Sequence, residues 1–236
     1  AIMEKRYHQN LSSNSSTKIK YPIQIGNIFK LSFGEEVGNS VSHGVMAVLL
    51  LIVLPFCAVY GYTKGGPLQS FGNSIYVISI LLMFLSSSLY HSMSFDSSQK
   101  RILRKIDHSA IFVAIAGSFT PIILTNIQTS LGYGVLIVQW IFVIIGILFK
   151  SLSKKSKPIA STTLYLVMGW SAVLLIPNLI RMNNWLFLTL ILFGGLLYSI
   201  GVYFYSQKSK AWYHFIWHLF IIGASISHLI AIIFVL

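Results

Sequence analysis

Charge is what this sequence lacks. Only 9% of its 236 residues are Asp, Glu, Lys or Arg, where a soluble domain carries about 25%. A soluble fold of this length could not cover its surface with so few. Cysteine is nearly absent as well. The single Cys57 excludes an intrachain disulfide and any cysteine-built metal knuckle. No internal repeat, soluble domain or cleavable leader is visible, because the first long apolar run begins only near Val41. Acids are scarce, with 5 against 17 Lys and Arg, so the net charge is +12. Such a balance can mark a nucleic-acid binder. Here the bases sit between apolar runs and almost never inside them, so that class is set aside. Hydrophobic residues at 55%, with 14% aromatic, exclude disorder for most of the chain.

What is present is a series of apolar runs, near 41–62, 72–93, 106–126, 131–150, 159–180, 184–206 and 212–235. As helices, runs of this length extend about 30–36 Å, which matches a bilayer core of about 30 Å. The sequence therefore predicts an all-α membrane protein, a bundle of seven transmembrane helices over residues 35–236. Residues 1–34 read as a mobile cytoplasmic tail. The mixed stretch 19–33 suits either a segment lying on the membrane or a linker. Turn formers punctuate the runs at Gly65-Gly66-Pro67, Asp96-Ser97-Ser98, Lys157-Pro158 and Asn183-Asn184.

The distribution of bases predicts orientation. Lys5, Arg6, Lys18, Lys20 and Lys30 precede the first span. Lys100, Arg101, Arg104 and Lys105 follow the second, Lys150, Lys154, Lys155 and Lys157 the fourth, and Lys208 and Lys210 the sixth. Lys64 and Arg181 alone fall on the other side. The N-terminus is thus expected in the cytoplasm and the C-terminus outside. Asn10-Leu11-Ser12 and Asn14-Ser15-Ser16 match a glycosylation pattern but would stay cytoplasmic.

Ionisable groups inside a bilayer are costly and mark candidate sites. They are His43, His91, Asp107, His108, His214, His218 and His228. On the expected topology His91, Asp107, His214 and His218 come from three spans yet share one depth, near the cytoplasmic face. His214 and His218 are four apart, as are Ser87 and His91, so each pair shares a helix face. Three imidazoles and a water form an open zinc geometry. Iron, copper or nickel can use the same ligands. Asp107 could act as a base, accept a hydrogen bond from the water, or ligate directly. Ser87 could position a ligand or a water. Plainer readings remain for each: histidines at a boundary meet headgroups, and Asp107 can pair with Arg104 or Lys105. His108 points about 100° away from Asp107 and suits a boundary or supporting role. His43 suits a supporting role at the same depth. His228 lies about 21 Å from His214 along a helix and suits core hydrogen bonding. Gly117, Ser118 and Thr120 read as helix packing, and Pro121 as a kink.

Four stretches together carry a family resemblance: Glu35-Glu36-Val37-Gly38-Asn39-Ser40-Val41-Ser42-His43-Gly44; Ser87 to His91; Asp107-His108-Ser109-Ala110-Ile111-Phe112 leading to Ala116-Gly117-Ser118-Phe119-Thr120-Pro121; and His214-Phe215-Ile216-Trp217-His218. In this order the sequence resembles the hemolysin III family, the bacterial branch of the progestin and adiponectin receptor family, over about residues 35–236. The resemblance implies a multi-pass protein of the bacterial cell membrane with an intracellular N-terminus. It implies zinc as cofactor, held by His91, His214 and His218, with Asp107 and Ser87 at the site. Alkaline ceramidases in the wider superfamily look like metal-dependent lipid amide hydrolases. Three functions follow as expectations. The first is a zinc-dependent hydrolase of a lipid amide or ester, with Asp107 handling the proton and membrane lipid as substrate. The second is a non-enzymatic sensor or receptor with structural zinc. The third is a cytolytic or channel protein, which the scarcity of polar groups along the outer half disfavours.

Overall fold

A computed structural model of the chain describes residues 24–25, 28–152 and 158–236. Most of the expected tail lies outside the described residues, including Lys5, Arg6, Asn10, Asn14, Lys18 and Lys20. So do the loop bases Lys154, Lys155 and Lys157. Within 19–33 the described backbone forms a short antiparallel ladder. In it β1 (Gln24–Ile25) pairs with β2 (Ile28–Phe29), Gln24 standing opposite Phe29.

After the ladder, the regular elements of the described residues are all helical. The helix α1 spans Phe33–Ser92, and its start is fixed by a capping box. Ser32 Oγ accepts from the Glu35 amide while Glu35 reaches back to the Ser32 amide. Sixty helical residues would extend about 90 Å, three bilayer cores. Two glycines prevent this. Gly65 and Gly66 leave helical geometry, and Gly66 has φ +71° and ψ −160°, a region open essentially to glycine. Pro67 then opens the next turn, where its missing N–H costs nothing. The two arms fold back on one another. Ser70 Oγ donates to the Ala58 carbonyl, and Asn73 Nδ2 lies 3.5 Å from the Cys57 carbonyl. Further along, Ser88 Oγ donates to the Ser40 carbonyl and Ser40 Oγ to the Ser88 carbonyl. At the far end Glu36 meets His91. Every pair is centred on residues 63–65, the signature of an antiparallel hairpin about the glycine break. The linker expected over 63–71 is therefore only a two-residue interruption.

After Ser97, whose Oγ accepts from the Lys100 amide, comes α2 (Ser98–Thr125), then α3 (Ser130–Leu152). The next run was expected as one helix and is divided into α4 (Pro158–Trp170), a 3-10 stretch (Ser171–Leu175) and α5 (Ile176–Arg181). Pro177 explains the change, since it cannot donate to Val173 and its ring crowds that carbonyl. The chain ends with α6 (Trp185–Ser206) and α7 (Tyr213–Ile230), which runs into a π turn, Ala231–Val235. The described residues hold six helices long and apolar enough to cross a membrane, α4 to α5 counting as one and α1 as one. The chain is an integral, multi-pass membrane protein.

The bundle buries polar residues among its apolar core and turns apolar side chains outward. Along the first arm Val41, Val45, Val48, Ile52, Phe56 and Val59 are exposed, at helical spacing, while Asn39, His43 and Leu50 are buried. Helices approach closely where side chains are small. Gly117 on α2 lies against Ser79 of α1, and Gly72 of α1 against Pro121. Pro121 thus acts as a packing surface. Lys105 Nζ reaches the Ser151 carbonyl at one end of the bundle, and Asn184 Nδ2 reaches the Val235 carbonyl at the other.

A methyl group on Gly117 would overlap the Ser79 side chain. Gly117→Ala should cost about 1–3 kcal/mol through overpacking, read as a lower unfolding midpoint in detergent. Adding Ser79→Gly should recover most of the loss; no recovery would mean that the two positions do not touch.

Candidate metal centre

The hairpin of α1 brings its own two ends together, and the site forms where they meet α7. Ser87 and His91 lie one turn apart on the returning arm, while His214 and His218 lie one turn apart on α7. His214 Nε2 is 3.1 Å from His218 Nε2 and 3.3 Å from His91 Nε2. One ligand nitrogen from each of the three lies within 4.8 Å of the others. His218 is fully buried, His91 nearly so and His214 half-buried.

This spacing fits a metal ion. Tetrahedral zinc with Zn–N of about 2.0–2.1 Å sets its nitrogens about 3.3 Å apart. The hydrogen-bond pattern fits as well. Glu36 Oε2 lies 2.7 Å from His91 Nδ1, and a carboxylate only accepts, so Nδ1 carries the hydrogen. The Nε2 lone pair of His91 is left facing the other two imidazoles, the second-neighbour arrangement usual for ligating histidine. Glu36 is held as an anion by the buried Lys100, whose Nζ donates to Oε1 at 2.8 Å and to the Met93 carbonyl at 3.1 Å. Glu35 secures the opposite wall by accepting from the amide of Trp212, the left-handed residue from which α7 starts.

The surroundings are short of partners. Both nitrogens of His43, both amide atoms of Asn39 and Nδ1 of His218 are buried without a hydrogen-bond partner among the described residues. Buried polar groups are nearly always satisfied, so such a concentration marks a place for a ligand. His43 packs on His218 with ring centroids 3.9 Å apart. His43, Ser87 and Asp107 together line one end of an apolar cavity of about 200 Å³. It continues past Ile111, Tyr165, Trp217 and Ile221 to His228 and Ile232.

The residues singled out from sequence sort as follows. His91, His214 and His218 converge. Ser87 and Asp107 do not join that group of nitrogens but face the adjoining cavity with His43. Asp107 Oδ2 is 3.2 Å from Nδ1 of its neighbour His108, which also lies 2.8 Å from the Arg104 carbonyl. His228 Nε2 is 3.0 Å from the Ile191 carbonyl, at the far end of the cavity. Sequence reasoning missed Glu36, Lys100 and Asn39 as parts of the site. The spacing of Glu36, Asn39 and His43 on one helix face was a usable signal; the long-range partnership of Lys100 left none.

The described fold and site define a class: multi-pass membrane proteins with a buried trio of histidines able to hold one metal ion. A family model described as Haemolysin-III related matches residues 31–229. The Hemolysin-3 homolog of Bacillus subtilis (strain 168) is 36% identical over 85% of this chain and 93% of its own length. Hemolysin-3 of Bacillus cereus is 32% identical over 85% and 91%. The human Monocyte to macrophage differentiation factor is 28% identical over 67% of each chain. The chain belongs to the hemolysin III family, within the progestin and adiponectin receptor family.

Losing the charge that orients His91 should weaken metal binding without abolishing it. Glu36→Gln is expected to lower zinc affinity 10–100-fold in competition with a chelator, and Glu36→Asp less. Equal affinity in all three proteins would show that Glu36 does not serve the site.

Proposed function

We propose that the protein is a metal-dependent hydrolase of a lipid amide or ester, with zinc as its ion. One observation carries this reading: His43, which packs on His218 of the trio, lines one end of an apolar cavity together with Ser87 and Asp107. Between Trp217 and Ile232 the cavity follows α7 for about 22 Å, which suits one extended acyl chain. Bound at the trio, the metal would supply Lewis acidity and lower the pKa of a water toward 7. The chain's own residues do the rest. His91, fixed by Glu36, and the His214–His218 pair hold the ion. The Asp107 carboxylate takes the proton from water and returns it to the leaving group. Ser87 Oγ donates a hydrogen bond to water or to the carbonyl oxygen. Ile111, Tyr165 and Ile221 hold the tail and keep bulk water from the reacting carbonyl.

The same placement bears on the other readings. A purely structural clamp would close the fourth position with a protein ligand, whereas Asp107 faces the cavity and pairs with His108. A pore would need polar groups along its length, and this cavity gathers its ionisable groups at one end, apart from His228.

We also propose that α1 crosses twice, giving seven crossings with the N-terminus in the cytoplasm. Each arm about the Gly65–Gly66 break is long enough to cross. Arg101, Arg104, Lys105, Lys208 and Lys210 lie at the histidine end, Lys64 and Arg181 at the other. Such a bias supports a cytoplasmic position for the histidine end.

Purified, zinc-loaded protein should release fatty acid from single-chain N-acyl or O-acyl lipids. Asp107→Asn should lower kcat at least about 100-fold while zinc content stays unchanged. No turnover across a broad panel of amide and ester lipids by the metal-loaded protein would overturn the reading.

A further inference from the structure

Beside His214 lies a second, smaller recess of about 60 Å³. Its walls include Arg104, Lys208 and Lys210, together with His108, His214 and Tyr205. Three cations thus line a space with room for a few waters or one tetrahedral oxyanion. No carboxylate lines it among the described residues. Asp107, one turn from Arg104, faces the other cavity.

The cations come from separate elements, Arg104 from α2 and the two lysines from the loop between α6 and α7, so folding has gathered them. The gathering works against Coulomb repulsion. Burial, and then the nearby Arg104 guanidinium, push the Lys208 ammonium below its ordinary pKa. Lys210 and Lys208 each lie over a tyrosine ring, 5.0 Å from Tyr213 and 5.3 Å from Tyr205, which limits their freedom. Neutral donors complete the wall. The Tyr205 hydroxyl lies 3.4 Å from His108 Nε2 and so stands at the recess.

We propose that this recess is a binding site for a phosphate group, either free phosphate or the phosphate of a lipid headgroup. A guanidinium offers paired donors to two oxygens, and two ammonium groups neutralise the remaining charge. The bound group lies beside His214, so occupancy adds negative charge next to the histidine trio. The site stands without the hydrolase reading. If the ligand is a lipid, its headgroup sits at the base-rich end of the bundle.

The test is calorimetric titration of the whole protein in phosphate-free maltoside micelles. The probes are inorganic phosphate, a single-chain acylglycerol phosphate, and the uncharged acylglycerol as control. Inorganic phosphate should bind, with Arg104→Gln and Lys208→Gln each weakening it at least tenfold and Lys64→Gln leaving it unchanged. Arg104→Lys, which keeps the charge and the fold but loses the paired donors, should also weaken it. Acylglycerol phosphate binding at least tenfold tighter than phosphate, and losing affinity in the same variants, identifies a headgroup; equal affinities identify free phosphate. Absence of binding by both phosphate probes, or binding indifferent to Arg104 and Lys208, overturns the site.

Discussion

Three imidazole nitrogens meet within 4.8 Å of one another, His214 within hydrogen-bond distance of both others, and the structure around them is arranged to make that possible. Nitrogen lone pairs facing each other in a low-dielectric interior repel unless a proton or a metal ion stands between them. A carboxylate directs one ring, an α-helical turn spaces the other two, and a buried lysine keeps the carboxylate charged. Glu36 is the keystone, because it bridges His91 and Lys100 and so ties the start of α1 to its end and to α2.

The fold supplies this arrangement by turning a 60-residue helix back on itself. Without the break at Gly65–Gly66, Glu36 and His91 would lie about 80 Å apart; with it they touch. Small and polar residues line the seam between the arms, Ser40 with Ser88 and Ser70 with Ala58. This suits helices packed in lipid, where close approach and hydrogen bonds replace the hydrophobic drive. The same end of the bundle holds two spaces of opposite character: an apolar cavity lined by His43, Ser87 and Asp107, and a cation-lined recess that takes in His214, His108 and Lys208. Consecutive residues of α2, Asp107 and His108, look into one space each, since neighbours on a helix diverge by about 100°.

Much of this was legible in the sequence. Membrane-length apolar runs set the helices, and scarcity made each intramembrane histidine conspicuous. Charge asymmetry gives the expectation of one depth for His91, Asp107, His214 and His218, of which the three histidines converge. What could not be read was long-range pairing. Lys100 looked like one more loop base, yet it is buried against a glutamate 64 positions away. Helix α2 begins eight residues before the apolar run that announced it, because Ser97 caps it and Lys100 has that partner inside. Pro177 was visible, but its effect on the preceding turn competes with strong apolar periodicity on both sides. The cavity is a property of α1, α2, α4, α5, α6 and α7 together and leaves no trace in any one of them.

The central claim is that the trio holds one metal ion per chain. The most direct measurement is elemental mass spectrometry of the purified, folded protein after zinc addition and removal of unbound ions, beside His218→Ala. The account predicts about one equivalent of zinc in the wild type and its loss in the variant. A monodisperse, folded wild type that retains no metal, or a variant that retains as much as the wild type, would contradict it.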